Sequence, residues 1–123
     1  MDTNIIIDHL RHQGKTDSKL TQIVKGMPKE TLALSVVSVQ ELYEGQSTKD
    51  SVKEQYLLAT ISPLKILPYT YEIAQLAGQI ARDLTKPIEL ADAAIAATAI
   101  VSNAGLFTLN NKDFQNILNL ELI

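Results

Sequence analysis

The chain has 123 residues, 46% of them apolar and 20% charged, with no cysteine and a formal net charge of −3. That is enough apolar material for one domain with a sizeable core, and it excludes a disordered chain, a disulfide framework and a thiolate metal site. The small negative charge excludes no partner, because four acids gathered around metal ions would leave the remainder near neutral, and charge distribution outweighs its sum.

The start carries neither a basic n-region nor an apolar h-region, so no signal peptide is expected and the cytoplasm is the expected location. Ile6, Ile7 and Leu10 form a helical stripe over Asn4 to His12 that stops near Gly14. Asp17 or Ser18 can cap a second helix carrying Leu20, Ile23 and Val24, which Gly26 and Pro28 end. Leu32 to Val37, "LALSVV", reads as a strand buried on both faces. Ser38 opens the next helix through "VQELYEG", and a polar "GQSTKD" turn leads to a helix from Ser51 to Ile61.

Lys65-Ile66-Leu67 is a short strand between Pro63 and Pro68. Ile73, Leu76, Ala77, Ile80, Ala81 and Leu84 recur at helical spacing up to Lys86-Pro87. Leu90 to Asn103 is a further helix, with Gly105 expected at the left-handed position that closes it. "LFTL" reads as a strand, "NNKDF" as a turn and "LNLELI" as a final edge strand. The uncharged stretch from Ala93 to Asn111 is Ala-rich and broken by Ser102-Asn103-Ala104-Gly105, which excludes a membrane span. Strands alternate with helices, so a parallel sheet covered on both faces is expected, a three-layer α/β/α sandwich.

Ligands of such sheets bind beyond the carboxyl ends of the strands. Asp2 at the chain start, Glu41 after "LALSVV", Asp92 opening the Ala-rich helix and Asp113 after "LFTL" can converge there. Gathered carboxylates raise each other's pKa unless a cation neutralises them, and hard oxygen ligands suit Mg²⁺ or Mn²⁺. Such ions support in-line phosphodiester hydrolysis. Each acid also has an ordinary role in isolation. Glu41 forms S-x-x-E with Ser38, the pattern of a capping box. Asp92 suits a first helical turn, Asp113 an Asx-turn or cap, and Asp2 a helix entry.

With these positions in hand, the sequence resembles the PIN-domain ribonucleases, especially the VapC-like toxins of toxin–antitoxin pairs. "DTN" at Asp2-Thr3-Asn4 resembles the family's opening motif, and "SVVSVQELYEG" its second block with Glu41 as the acid. "ADAAIAATAI" resembles the third, with Asp92, and "LFTLNNKDF" the fourth, with Thr108, Asn110, Asp113 and Phe114 in the family's spacing. The resemblance implies a PIN domain over residues 1–123 and Mg²⁺- or Mn²⁺-dependent cleavage of RNA. It also implies a small cognate antitoxin whose C-terminal segment covers the site, and homodimerisation.

By the same resemblance, Asp2, Glu41, Asp92 and Asp113 are metal ligands that also position the attacking water. Thr108 and Asn110 would orient those acids, and Asn4 would tie the first loop to the backbone. Family members carry several apolar residues before "DTN"; here only Met1 precedes it, so a truncated first central strand is expected, with a start set too late favoured over natural loss. That places the α-amino group beside Asp2, as a competitor for its carboxylate.

Other groups have plainer readings. His9 and His12 lie three apart without further ligands and are expected to face solvent. Arg11, Lys15, Arg82, Lys86 and Lys112 can contact phosphates, although scattered surface charge is the ordinary reading; only Lys112, beside Asp113, has a positional reason. A receiver-type phosphoacceptor domain would need an aspartate after a central strand, but "KILP" is followed by Tyr69-Thr70-Tyr71. A catalytically silent PIN domain acting as a binding module is the remaining alternative.

Overall fold

The computed structural model describes residues 1–12, 17–28 and 31–123. Gly14 and Lys15 therefore lie outside the described residues. The elements run α1 (Thr3–His12), α2 (Lys19–Gly26), β1 (Ala33–Ser35), α3 (Val36–Glu44), α4 (Ser51–Ile61), β2 (Lys65–Leu67), α5 (Tyr71–Asp83), α6 (Leu90–Val101) and α7 (Asn111–Phe114). A 3₁₀ turn, Gln46–Lys49, takes the place of the expected polar turn.

Local side-chain chemistry sets most of these boundaries. Ser18, rather than Asp17, caps α2 by accepting from the Thr21 N–H, while Asp17 pairs with Lys25 at 2.8 Å. Asp50 caps α4 by accepting from the Val52 and Lys53 N–H groups, and Thr70 caps α5 through Ile73. The expected strand from Leu32 to Val37 is cut to three residues by the same chemistry. The Ser35 hydroxyl accepts the Val37 N–H, so the chain turns helical at Val36, two residues before Ser38.

β1 and β2 pair in parallel, with Ala33 opposite Lys65 and Ser35 opposite Leu67. "LFTL" and "LNLELI" do not form the expected full strands among the described residues; they meet in one parallel bridge between Leu106 and Leu122. Among the described residues, Met1 and Asp2 link β1 to that bridge. The Met1 nitrogen donates to the Ala33 carbonyl at 2.8 Å, and the Asp2 N–H donates to the Phe107 carbonyl at 2.8 Å. Two residues thus tie both halves of the sheet together, and the Met1 ammonium, while donating to Ala33, still feels the Asp2 charge as expected.

The core has two parts. Ile5, Ile6, Leu20, Leu34, Leu42 and Leu57 pack with the other apolar residues of α1 to α4, and Ala93, Ile95, Ala96, Ala97 and Ala99 of α6 pack with α5, Leu106, Phe114 and Ile117. Leu106 belongs to the second part while its neighbour Phe107 packs against the first. That alternation is the period of an extended chain running between two apolar layers.

Two helix ends differ from expectation. α5 stops at Asp83, with Leu84 as its C-cap, three residues short of Pro87. α6 stops at Val101, and the left-handed residue beyond it is Asn103 (φ 55°) rather than Gly105. Gly105 has no positive φ; a Cβ there would press on the exposed Ile123 side chain, which would have to shift to make room.

Candidate active site

The four acids arrive from four segments. Asp2 enters α1, Glu41 lies in the second turn of α3, Asp92 in the first turn of α6, and Asp113 in α7. Asp2 is buried, and its burial raises the carboxyl pKa, as does the nearby Asp113 charge. The Thr108 hydroxyl opposes that rise by donating to Asp2 Oδ2 at 2.8 Å. Asp92 is pushed up to about 6, first by burial and then by the charges of Asp2, Glu89, Asp113 and Glu41. Asp92 therefore feels the other three acids, and Glu89 joins them as a fifth carboxylate at the N-cap of α6. Its position three residues ahead of Asp92 was the only signal for it in the chain.

Hydrogen bonds hold three of the acids. Thr3 Oγ1 lies 2.6 Å from Glu41 Oε1 and 2.8 Å from Ser38 Oγ. One hydroxyl proton cannot serve both contacts, and a carboxylate only accepts. Thr3 thus donates to Glu41, and Ser38 donates to Thr3. This removes the Ser38–Glu41 capping box: Ser35 is the cap, while Ser38 is fully buried within the helix. Sequence reasoning missed Thr3 and Ser38 as supports of Glu41, because the local S-x-x-E pattern points to a nearer partner for each.

Thr108 joins three segments. Besides donating to Asp2, it accepts from Asn4 Nδ2 at 3.3 Å and the Asn110 N–H at 3.0 Å. Asn4 also accepts from the Leu109 N–H at 3.2 Å, so it ties α1 to the 108–109 segment instead of closing the first loop. The Asn110 amide donates to Asp113 Oδ2. Asp92 alone of the four acids makes no hydrogen bond or ion pair among the described residues.

An all-oxygen donor set of mutually repelling carboxylates, one already driven toward protonation, fits a hard divalent cation chemically. Among the described residues, no three His, Cys, Asp or Glu side chains close on one point as a ready-made ligand set. The acids share a site without being drawn onto a common centre.

The histidines are partnered and half-buried rather than solvent-facing. His9 Nδ1 lies 2.7 Å from Ser18 Oγ and its Nε2 lies 3.3 Å from the Tyr56 hydroxyl, while His12 Nδ1 meets the Asp8 carbonyl at 2.6 Å. Among the described residues, no helix is long and apolar enough to cross a membrane.

The PIN-domain family pattern matches residues 1–118. The chain belongs to the PIN-domain family, in its VapC-like branch. It is 32% identical to ribonuclease VapC of Rickettsia bellii, with 100% of this chain and 92% of that protein covered. It is 30% identical to ribonuclease VapC1 of Haemophilus influenzae, covering 98% of this chain and 92% of that protein. Among solved structures it resembles a chain of VapBC2 from Rickettsia felis bound to a promoter DNA fragment, with a TM-score of 0.82, 26% identity, and 99% of this chain and 94% of that one covered. The expected fold class is thus the observed one.

Proposed function

We propose that this chain is a metal-dependent endoribonuclease and the toxin of a VapBC-type pair, acting in the cytoplasm. The observation that carries the reading is the convergence of Asp2, Glu41, Asp92 and Asp113 from four segments: Asp92, pushed up to about 6 first by burial, also feels the charges of the other three. The names of the VapC relatives and the VapBC complex add support.

Asp2, Glu41, Asp92 and Asp113 would hold Mg²⁺ or Mn²⁺, which supplies Lewis-acid stabilisation of the phosphoryl oxygens and a more acidic water. The chain's own part is positioning. Thr108 bonds Asp2, Thr3 bonds Glu41 and Asn110 bonds Asp113, so three carboxylates are held in set orientations. Asp92, free of hydrogen bonds, keeps both oxygens for a cation or for the attacking water. A water held in line by these acids would displace the ribose oxygen of the scissile phosphodiester.

An antitoxin partner is part of the proposal. A groove of about 730 Å³ opens beside Glu41, lined by Ile7, Leu10, Leu42, Val52 and Tyr56, and offers apolar surface to a partner segment. Tyr71, Leu90 and Leu118 are each more than four-fifths exposed and offer further surface, including to a second copy of the chain.

The test is incubation of purified protein with single-stranded and hairpin RNA in Mg²⁺ or Mn²⁺, against a chelator control. Cleavage that requires the metal is expected. Binding without cleavage in either metal would favour the silent binding module.

A further inference from the structure

We propose that the cavity between the α5–α6 connection (residues 84–89) and α7 seats one unstacked nucleotide of the RNA, with Lys86 and Lys112 contacting its phosphates and Gln115 and Asn116 its base. The inference rests on the ribonuclease reading and specifies where its substrate lies.

The cavity holds about 250 Å³, and Asp92 and Asp113 form part of its wall. Whatever fills it therefore lies against two of the four acids. The larger groove touches those acids only at Glu41, and the 280 Å³ cavity beside β1 touches none of them.

A polyanion approaching a carboxylate cluster is repelled, so its seat needs fixed positive charge close by. Lys86 and Lys112 supply it from two segments that meet at this cavity. Neither lysine makes an ion pair or hydrogen bond among the described residues, although Glu89, Asp92 and Asp113 line the same space. Both ammonium groups stay available for phosphate.

Gln115 and Asn116 also line the cavity, and each carries a side-chain amide with donors and an acceptor. Asn116 sits at φ 68°, a left-handed conformation that the chain adopts just where α7 turns away. Proteins that recognise single-stranded RNA take bases out of the stack and read their edges with such groups. Among the described residues no aromatic ring lines this cavity, so edge contacts, rather than stacking, would hold the base.

The test is fluorescence anisotropy with a labelled mixed-sequence single-stranded RNA in chelator, so that no cleavage occurs, over a series of salt concentrations. For single strands each phosphate contact contributes about 0.7 to the slope of log affinity against log salt. Lys86→Ala and Lys112→Ala should each lower the slope by roughly that amount, and the double variant should bind roughly 10-fold more weakly at low salt. Lys25→Ala, whose lysine pairs with Asp17, should leave the slope unchanged. Gln115→Ala and Asn116→Gly, the latter compatible with the positive φ, should keep the slope and alter the ranking of A, C, G and U homopolymers. An unchanged slope in the double variant, or no RNA binding by the parent, overturns the proposal. Metal-dependent cleavage with an unchanged slope would sink it while leaving the ribonuclease reading intact. A reduced slope without cleavage in any metal would do the reverse.

Discussion

Thr3 and Glu41, 38 residues apart, share a 2.6 Å hydrogen bond that fixes the Glu41 carboxylate from the first turn of α1. Thr3→Val keeps the shape and deletes the donor. It also leaves the buried Ser38 hydroxyl without its acceptor, at a cost of about 1–3 kcal/mol in unfolding free energy. RNA cleavage should fall more than stability does, and Thr3→Ser should restore much of both. Equal loss of activity in the Val and Ser variants, at matched stability, would show that the hydroxyl does not position Glu41.

Glu41→Gln tests the site against the helix cap. Ser35 caps α3, so the glutamine variant should keep the parent's urea midpoint while losing cleavage. Ser35→Ala should lower stability by about 1 kcal/mol. A drop in stability in Glu41→Gln comparable with that of Ser35→Ala would return Glu41 to a capping role.

The acid cluster makes stability depend on pH in a defined direction. Asp92 has its pKa raised from 3.8 to about 6, so the folded state binds its proton more tightly than the unfolded state does. Its contribution to stability is full below about pH 3.8 and is lost as pH rises through about 6. Asp92→Asn removes the charge and should therefore be more stable than the parent at pH 7, with the gap closing toward pH 4. After allowance for solvent screening at this half-exposed group, the gain is on the order of 1 kcal/mol. A variant less stable than the parent at pH 7 would contradict the repulsion.

Mg²⁺ or Mn²⁺ should reverse that order. A ligand of the folded state at 100 times its Kd stabilises by about 2.7 kcal/mol. The parent's Tm should rise with added Mn²⁺, and the rise should shrink in Asp92→Asn and Asp113→Asn. Equal metal-induced shifts in all three proteins would place the binding elsewhere.

The helices were legible because their signals are local. Ser18, Asp50 and Thr70 announce α2, α4 and α5 within a few residues of each start. The sheet was less so. A strand of three residues carries little periodicity, and the Ser35 hydroxyl ended β1 before its β-branched neighbours Val36 and Val37 could extend it. The 106–108 and 120–122 segments have strand-like residues but meet in one bridge. The four acids could be picked out in order along the chain, and their mutual influence is visible in Asp92. Their supports were less accessible. Thr108 and Asn110 lie close to Asp113 in sequence, whereas the Thr3–Ser38–Glu41 contacts depend on α1 packing against α3, which no local pattern encodes.

The most direct test of the central claim is RNA cleavage by Asp92→Asn and Asp113→Asn beside the parent, in Mg²⁺ or Mn²⁺, with folding checked by circular dichroism. Both variants should be folded and inactive, and Asp92→Asn more stable than the parent at neutral pH, so that the lost cleavage cannot be ascribed to unfolding. Cleavage at the parent's rate by either folded variant would contradict the account.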